Sequence, residues 1–488
     1  MKFRRIENMK PRKAPIKMIF HSVLLRRPFP LRIWLNILLI GLMAAALTGN
    51  AGAAGPVYPV KVSANKRYLV DQNNAPFLIT GDSPQGLMVD LSPAQADSYF
   101  ANRQAHGFNT VWINLVCNSY TGGRPDGSAY DGMLPFTGYL PGGKDLAHYD
   151  LSKPNEAFFA RCDEMLTLAA KHNLLVFLDP IETGGWLTTM VNNGPKACQD
   201  FGKYLGNRYK NFDNIVWMSG NDFQKWSDSG NDAVAIAVAK GIQASDPRHI
   251  HTIELDDNVS LSTNDPNWAA IVSLNGAYTY FPTYAEVLNG YNRTGTMPVF
   301  MVEATYEFED NAQAHVSTPA TLRREEYWSN LSGATGLIYG NHYTWTFASG
   351  WESRLDTPGA VQIGYMKSFF ESRAWYDLAP DQTHETLTAG YGTFSDKGTI
   401  DGNDYATAAR TPDGRLVIIY APTIRPLAIN MSKLSGPVTA RWFDPSNGVY
   451  VAVEGSPFPN TGSRNFTPPC KNHDGDGDWV LVLETGRS

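Results

Sequence analysis

Between about Val60 and Asp381, short runs of β-branched and aliphatic residues alternate eight times with longer amphipathic stretches. That rhythm is the pattern of strands and crossover helices in a parallel sheet. The strand candidates are Phe77–Asp82, Thr110–Leu115, Leu175–Asp179, Ile215–Met218, His249–Leu255, Ile271–Asn275, Val299–Glu303 and Gly336–Asn341. Helical patterns lie between them over Pro93–His106, Asn155–His172, Gly194–Tyr209, Asp232–Ala244, Ala320–Leu331 and Val361–Arg373. Eight such units predict an α/β chain folded as a (β/α)8 TIM barrel over residues 58–381, enlarged by its loops. A doubly wound sheet is the competing topology, but no Gly-rich phosphate fingerprint follows the first strand and no P-loop occurs. Gly81–Gly86 also has the wrong spacing for the nucleophile elbow of serine hydrolases.

After Pro380 the texture changes to short alternating runs separated by turn residues: Tyr405–Arg410, Leu416–Tyr420, Leu427–Ile429, Val438–Phe443, Val449–Val453 and Trp479–Glu484. They predict a small C-terminal antiparallel β-sandwich over 385–486. Asp474–Asp478 resembles the start of a calcium loop, yet Trp479 stands where that loop needs Gly and Thr485 where it needs Glu. A solvent-exposed hairpin turn is the expectation there.

The first 54 residues hold 10 of the 41 Lys and Arg and a single acid, Glu7. Beyond them 31 basic residues face 46 acidic ones, so the remainder is strongly acidic and has no electrostatic basis for general nucleic-acid or anionic-membrane binding. The basic leader, the apolar run Ile33–Leu47 and the A-x-A site Ala51-Gly52-Ala53 predict a signal peptide over 1–54 and an exported, periplasmic or secreted product. An uncleaved anchor is the alternative, but the run is shorter than the roughly 20 residues a span needs. Cys117, Cys162, Cys198 and Cys470 contain no C-x-x-C pair. Export permits a Cys162–Cys198 disulfide if their helices are neighbours; four buried free thiols is the alternative.

In a barrel the carboxyl ends of the strands converge on one mouth. This chain ends its strands on Asp82, Asn114, Asp179, Asn221 with Asp222, Glu254 or Asp256, Asn275, Glu303, and Asn341 with His342. Any one such residue is readily a helix cap or turn former, but the whole series is not. Asp222 follows a Gly and an Asn at the end of strand four, and Glu303 is the only ionisable residue of strand seven. Those strands lie across the mouth from each other, and paired carboxylates flanking a bond are what glycoside hydrolysis requires. A buried ion pair is the competing role for Glu303, but no basic residue occurs in its strand or at neighbouring strand ends. Glu307 and Glu309 are expected on the following loop, facing solvent or gating the cleft.

Aromatic residues at or after strand ends, among them Trp112, Trp186, Trp226, Tyr278, Tyr280, Tyr339, Tyr343, Trp345 and Trp351, suit stacking on sugar faces, although about half would pack in any barrel core. His249 and His251 share a strand face, but near its start, the stable end of a barrel, so the residues point to no metal and no cofactor.

The segments Phe77–Ser83, Gly107–Val111, Val216–Asp222, Val302-Glu303 and Tyr339–His342 resemble the apiosidase-like (domain-of-unknown-function 4038) barrels, related to glycoside hydrolase family 140 and to the broad clan of retaining glycosidases. The C-terminal part resembles the collagen-binding-type β-sandwich that often follows them. The resemblance implies Asp222 as acid/base and Glu303 as nucleophile. It also implies an oligo- or polysaccharide partner, bound by Asp82, Asn114, Asp179 and His342, with Asn221, Tyr280 and Trp345 lining the same mouth. Many clan members carry Asn-Glu at the end of strand four; Asn221-Asp222 here favours the family 140 branch. The implied substrate is an apiosyl or other furanosyl linkage. The competing class is a noncatalytic exported glycan-binding or adhesion protein on a degenerate barrel, in which Asp222 and Glu303 would be dispensable.

Overall fold

The computed structural model describes residues 55–256 and 258–486, so the leader expectation for 1–54 lies outside the described residues. Eight parallel strands form the barrel: β1 Ile79–Asp82, β2 Thr110–Asn114, β3 Leu175–Asp179, β4 Ile215–Phe223, β5 His251–Leu255, β6 Asn275–Thr279, β7 Val299–Glu303 and β8 Ala334–Tyr339. They pair in the order β5-β4-β3-β2-β1-β8-β7-β6. The outer ring is α1 Pro93–Ala105, α2 Glu156–Lys171, α3 Thr183–Tyr209, α4 Ser229–Ser245, α5 Thr283–Tyr291, α6 Pro319–Leu331 and α7 Pro358–Glu371, with a single turn, Pro266–Ala269, following β5.

The seam between β5 and β6 is closed without a continuous ladder. At its lower end the amides of Ser273 and Leu274 both reach the His251 carbonyl, at 3.0 and 3.3 Å. Higher up, a three-residue strand, Val259–Leu261, pairs antiparallel with β6, and the hydroxyls of Ser260 and Ser262 donate to the β5 carbonyls of Leu255 and Ile253. Residues 271–274 are therefore spent on closure, and β6 begins at Asn275 where the sequence pattern ends it. Asn275 sits at the lower end of the barrel and is not a mouth residue, because an apolar run of this length reads the same whether it forms the strand or the turn before it.

Two further departures have local causes. Phe77 belongs to a small antiparallel sheet (Lys61–Val62, Leu69–Val70, Pro76–Phe77) whose Leu69 and Phe77 join the barrel-interior cluster of Trp112, Phe177, Val216, Phe300 and Ile338. Helix α3 is two helices joined across a kink at Gly194 (φ 74°, ψ 169°): the second begins after Gly194 as the sequence pattern places it, and a first half from Thr183 precedes it that the pattern does not give.

The C-terminal sandwich pairs a six-stranded sheet, built on Leu416–Ala421, Val438–Asp444 and Trp479–Thr485, with a three-stranded one. Alternation decides its packing. Leu416, Ile418, Tyr420, Val480 and Val482 face the barrel helices, where the Tyr327 and Tyr420 rings stack at 5.2 Å. Val417, Ile419, Leu481 and Leu483 face the sandwich core. The acidic loop is exposed at Asp474 and Gly475 as expected, but its far end is a clasp: Arg323 of α6, 1% exposed, takes Asp478 at 2.8 and 2.9 Å and Asp476 at 2.8 Å. All four cysteines are free, with Cys470 exposed and the other three buried.

Candidate active site

The end of β4 departs from strand geometry at the candidate residues Asn221 and Asp222. Ser219 pairs with Ile253 and Phe223 with Leu255, so three residues, Gly220–Asp222, bulge out opposite Glu254 alone. All three have positive φ, at 111°, 70° and 51°. Only Gly fits the first position, since a Cβ there would meet the Glu254 carbonyl oxygen at 2.1 Å. The bulge is held from both sides: Thr183 Oγ1 donates to the Gly220 and Asn221 carbonyls (2.6 and 3.2 Å), and the Asp222 amide donates to Glu254 Oε2 (2.9 Å). The Tyr120 hydroxyl donates to Asp222 Oδ2 at 2.7 Å, its ring lying where any side chain on Gly184 would be.

Glu303 ends β7 in register with Tyr278 of β6. Among the described residues its carboxylate takes hydrogen bonds from phenols alone. Tyr278 and Tyr280 donate to Oε1 at 2.9 and 2.7 Å, and Tyr306 donates to Oε2 at 2.6 Å. Burial, then the charge of Asp222, push Glu303 up to about 8 against the downward pull of the three hydroxyls. That mutual effect puts Asp222 and Glu303 in one electrostatic site.

A chain of amides connects the two. Asn114 donates to Asn221 Oδ1 (3.3 Å), Asn221 to Gln85 Oε1 (3.1 Å), and Gln85 to the Tyr306 hydroxyl (3.1 Å). Asn114 also accepts from Trp112 Nε1 and donates to Glu182. Asn114 and Asn221 are thus buried and engaged by protein at both ends of their amides. Asp179 sits beside Asn114 in the β2–β3 register, fully buried, with Oδ1 accepting the Ile181 amide. Asp82 does not open on the mouth as a free acceptor: it is buried and takes Tyr99, the Ser83 amide and Arg103 Nε, the last at 3.1 Å. His342 and Trp345 lie on the rim, both on Glu309 Oε1 at 3.0 and 2.8 Å, with the Trp345 ring edge-on to Tyr306. Glu307 does not face solvent; it is 2% exposed and accepts from Tyr339, Asn341, Thr357 and the Gly359 amide. Trp112 and Trp186 are fully buried core residues.

A family model described as the apiosidase-like catalytic domain matches residues 63–377, a span that contains every barrel strand and both carboxylates. The chain belongs to the apiosidase-like family. A second model, described as a collagen-binding domain of a collagenase, matches 395–484. Among solved structures, a protein titled glycoside hydrolase aligns at a TM-score of 0.72 and 22% identity, over 88% of this chain and 97% of that one. A glycoside hydrolase family 5 protein from Bacteroides vulgatus aligns at 0.72 and 21%, over 87% and 93%. At those identities the likeness is one of fold. A search of curated proteins returned no match.

In this apiosidase-like barrel, sequence reasoning left out Tyr120, Gln85, Glu182 and Tyr306. Tyr278 was legible as a partner of Tyr280, two residues away on the same strand face, but that both grip Glu303 depends on the β6–β7 register. His249 lies before β5, its Nδ1 on Asp246 at 2.6 Å, and burial lowers His251 to about 4.

The buried carboxyl groups carry a stability consequence. Glu303 ionises near 4.5 unfolded and near 8 in the fold, so the native state binds the extra proton between those values. Its stabilising contribution is complete below about pH 4.5 and disappears as pH rises through 8. Glu303→Gln removes the ionisation. Its unfolding temperature relative to wild type should therefore rise steadily across that window, measured by thermal melts at fixed ionic strength. A constant difference would show that Glu303 is not the strained carboxylate.

Proposed function

We propose that this protein is an exported glycoside hydrolase that cleaves an apiosyl or other furanosyl linkage in a polysaccharide by double displacement. The observation that most supports this is the pairing of Asp222 and Glu303 at opposite strand ends of one mouth, each raising the other's cost of ionisation, with three hydroxyl donors aimed at Glu303 alone. Those donors favour the anion on Glu303 against its burial, and the reaction runs from the form in which Glu303 is ionised and Asp222 carries the proton. Glu303 then attacks the anomeric carbon while Asp222 gives its proton to the departing oxygen, and the glycosidic C–O bond breaks. Water, deprotonated by Asp222, attacks the same carbon, breaks the ester bond and releases Glu303 as carboxylate.

The test is a panel of plant and bacterial polysaccharides and glycosides incubated with wild type, Asp222→Asn and Glu303→Gln, with released sugars identified and their initial anomeric configuration followed by NMR. A sugar released by wild type alone, with configuration kept, is the expected result. Equal release by the variants favours a binding protein, and an inverted product overturns the double displacement.

A further inference from the structure

Glu254 is a third carboxyl group at this mouth, and the two-carboxylate mechanism leaves it without a task. It lies at the end of β5, 1% exposed. Oε2 accepts the Asp222 amide, while Oε1 is buried with no hydrogen-bond partner among the described residues. The groups facing it are Asp222 on β4, Glu303 on β7 and Asp179 on β3, together with the phenols of Tyr120, Tyr278 and Tyr306. None is a cation. Burial, followed by the charges of Glu303 and Asp222, drives Glu254 well above the ordinary carboxylate value.

The backbone it touches needs holding. Asn221 and Asp222 are non-glycine residues at φ 70° and 51°, a conformation that persists only where the surroundings impose it. The bulge takes three residues of β4 out of the ladder to β5, and in that stretch the side chain of Glu254 supplies the β5 contact to the Asp222 amide. Thr183 holds the Gly220 and Asn221 carbonyls and the Gln224 amide reaches the Asp222 carbonyl at 2.6 Å, while Glu254 takes the Asp222 amide itself.

Resting on the glycosidase reading of Asp222, we infer that Glu254 is a positioning residue for acid catalysis: its side chain holds the Asp222 amide and keeps the Gly220–Asp222 bulge presenting the Asp222 carboxyl to the leaving oxygen. Glutamine keeps a carbonyl acceptor of the same reach and no charge; alanine removes the acceptor. The experiment compares Glu254→Ala and Glu254→Gln in the full chain on a methyl glycoside and a 2,4-dinitrophenyl glycoside of the sugar that wild type releases. Methanol needs a proton to leave and dinitrophenolate does not.

Alanine is expected to lower kcat about a hundredfold on the methyl glycoside, the scale of a misplaced catalytic group, with little change in KM. On the dinitrophenyl glycoside kcat/KM, which reports formation of the glycosyl ester, should fall no more than about threefold, while kcat falls because Asp222 is also the base for hydrolysis of the ester; Gln should restore both substrates to within that margin, with the alkaline limb of the pH profile in place. Equal losses in kcat/KM on the two substrates, or a Gln variant as poor as Ala, would overturn the inference. Hydrogen–deuterium exchange of the peptide covering 219–223 gives a reading without turnover: faster in Ala, unchanged in Gln. If wild type cleaves no glycoside, the glycosidase reading fails, and equal exchange in all three proteins separately defeats the positioning role.

Discussion

Glu303→Gln is expected to lower kcat/KM by at least about 10⁴-fold, the scale on which removing a covalent nucleophile acts. The amide oxygen keeps an acceptor for the Tyr278 and Tyr280 hydroxyls and its NH2 can donate to the Tyr306 hydroxyl, so the fold around it should survive and the loss should be chemical. The two carboxyl roles separate with azide. In Glu303→Ala, azide occupying the vacated space should attack an activated glycoside directly and give a glycosyl azide of opposite configuration. In Asp222→Ala the glycosyl ester still forms on an activated substrate, and azide should release it with configuration kept. Products in the reverse pattern would exchange the roles, and a Glu303→Gln variant within tenfold of wild type would remove Glu303 from the chemistry.

The second large effect is on stability. Arg323→Met should cost about 3–5 kcal/mol in urea unfolding, the range for breaking a buried ion pair by removing one partner. The side chains of Arg323 and Asp478 are only 1% and 2% exposed, and without the guanidinium Asp478 keeps just Tyr420 at 3.2 Å and Asn472 at 2.7 Å. The penalty is that of an uncompensated buried charge, so Arg323→Met combined with Asp478→Leu should recover much of it. A single variant as stable as wild type would mean that apolar packing of the sheet on α6 and α7 holds the two parts together unaided. The clasp also gives the sandwich a mechanical role, because both faces of its larger sheet are covered, one by the barrel.

Much of the barrel was legible. The bounds of β3 and β7 match the expected runs at both ends, since each is a short apolar run closed by a carboxylate and bounded by turn residues. β6 was misplaced because apolar runs are locally ambiguous, and what resolved it was contact with a distant segment at the His251 carbonyl; the Gly194-Pro195 pair did mark the start of a helix, the second half of α3. The candidate site was legible in part for the same reason. Asp222 and Glu303 were visible as strand ends; their partners were not, because Tyr278 lies 25 residues from Glu303 and Tyr120 lies 102 from Asp222.

By itself, then, the sequence determined the eightfold alternation, the second β-rich part and the set of polar residues that end the strands, because side-chain period and turn chemistry are local properties of a chain. Which of those carboxylates face the mouth was a tertiary decision. Asp82 became half of a buried ion pair because α1 brings Arg103 to it, and Glu307 became an anchor because Tyr339, Thr357 and Gly359 converge on it. Glu303 met hydroxyls and a second acid instead of a cation, and its proton affinity rose to about 8. A carboxyl group's role is set by the donors and charges within a few ångströms, and those come from strands and helices whose separation in the chain carries no record of their proximity.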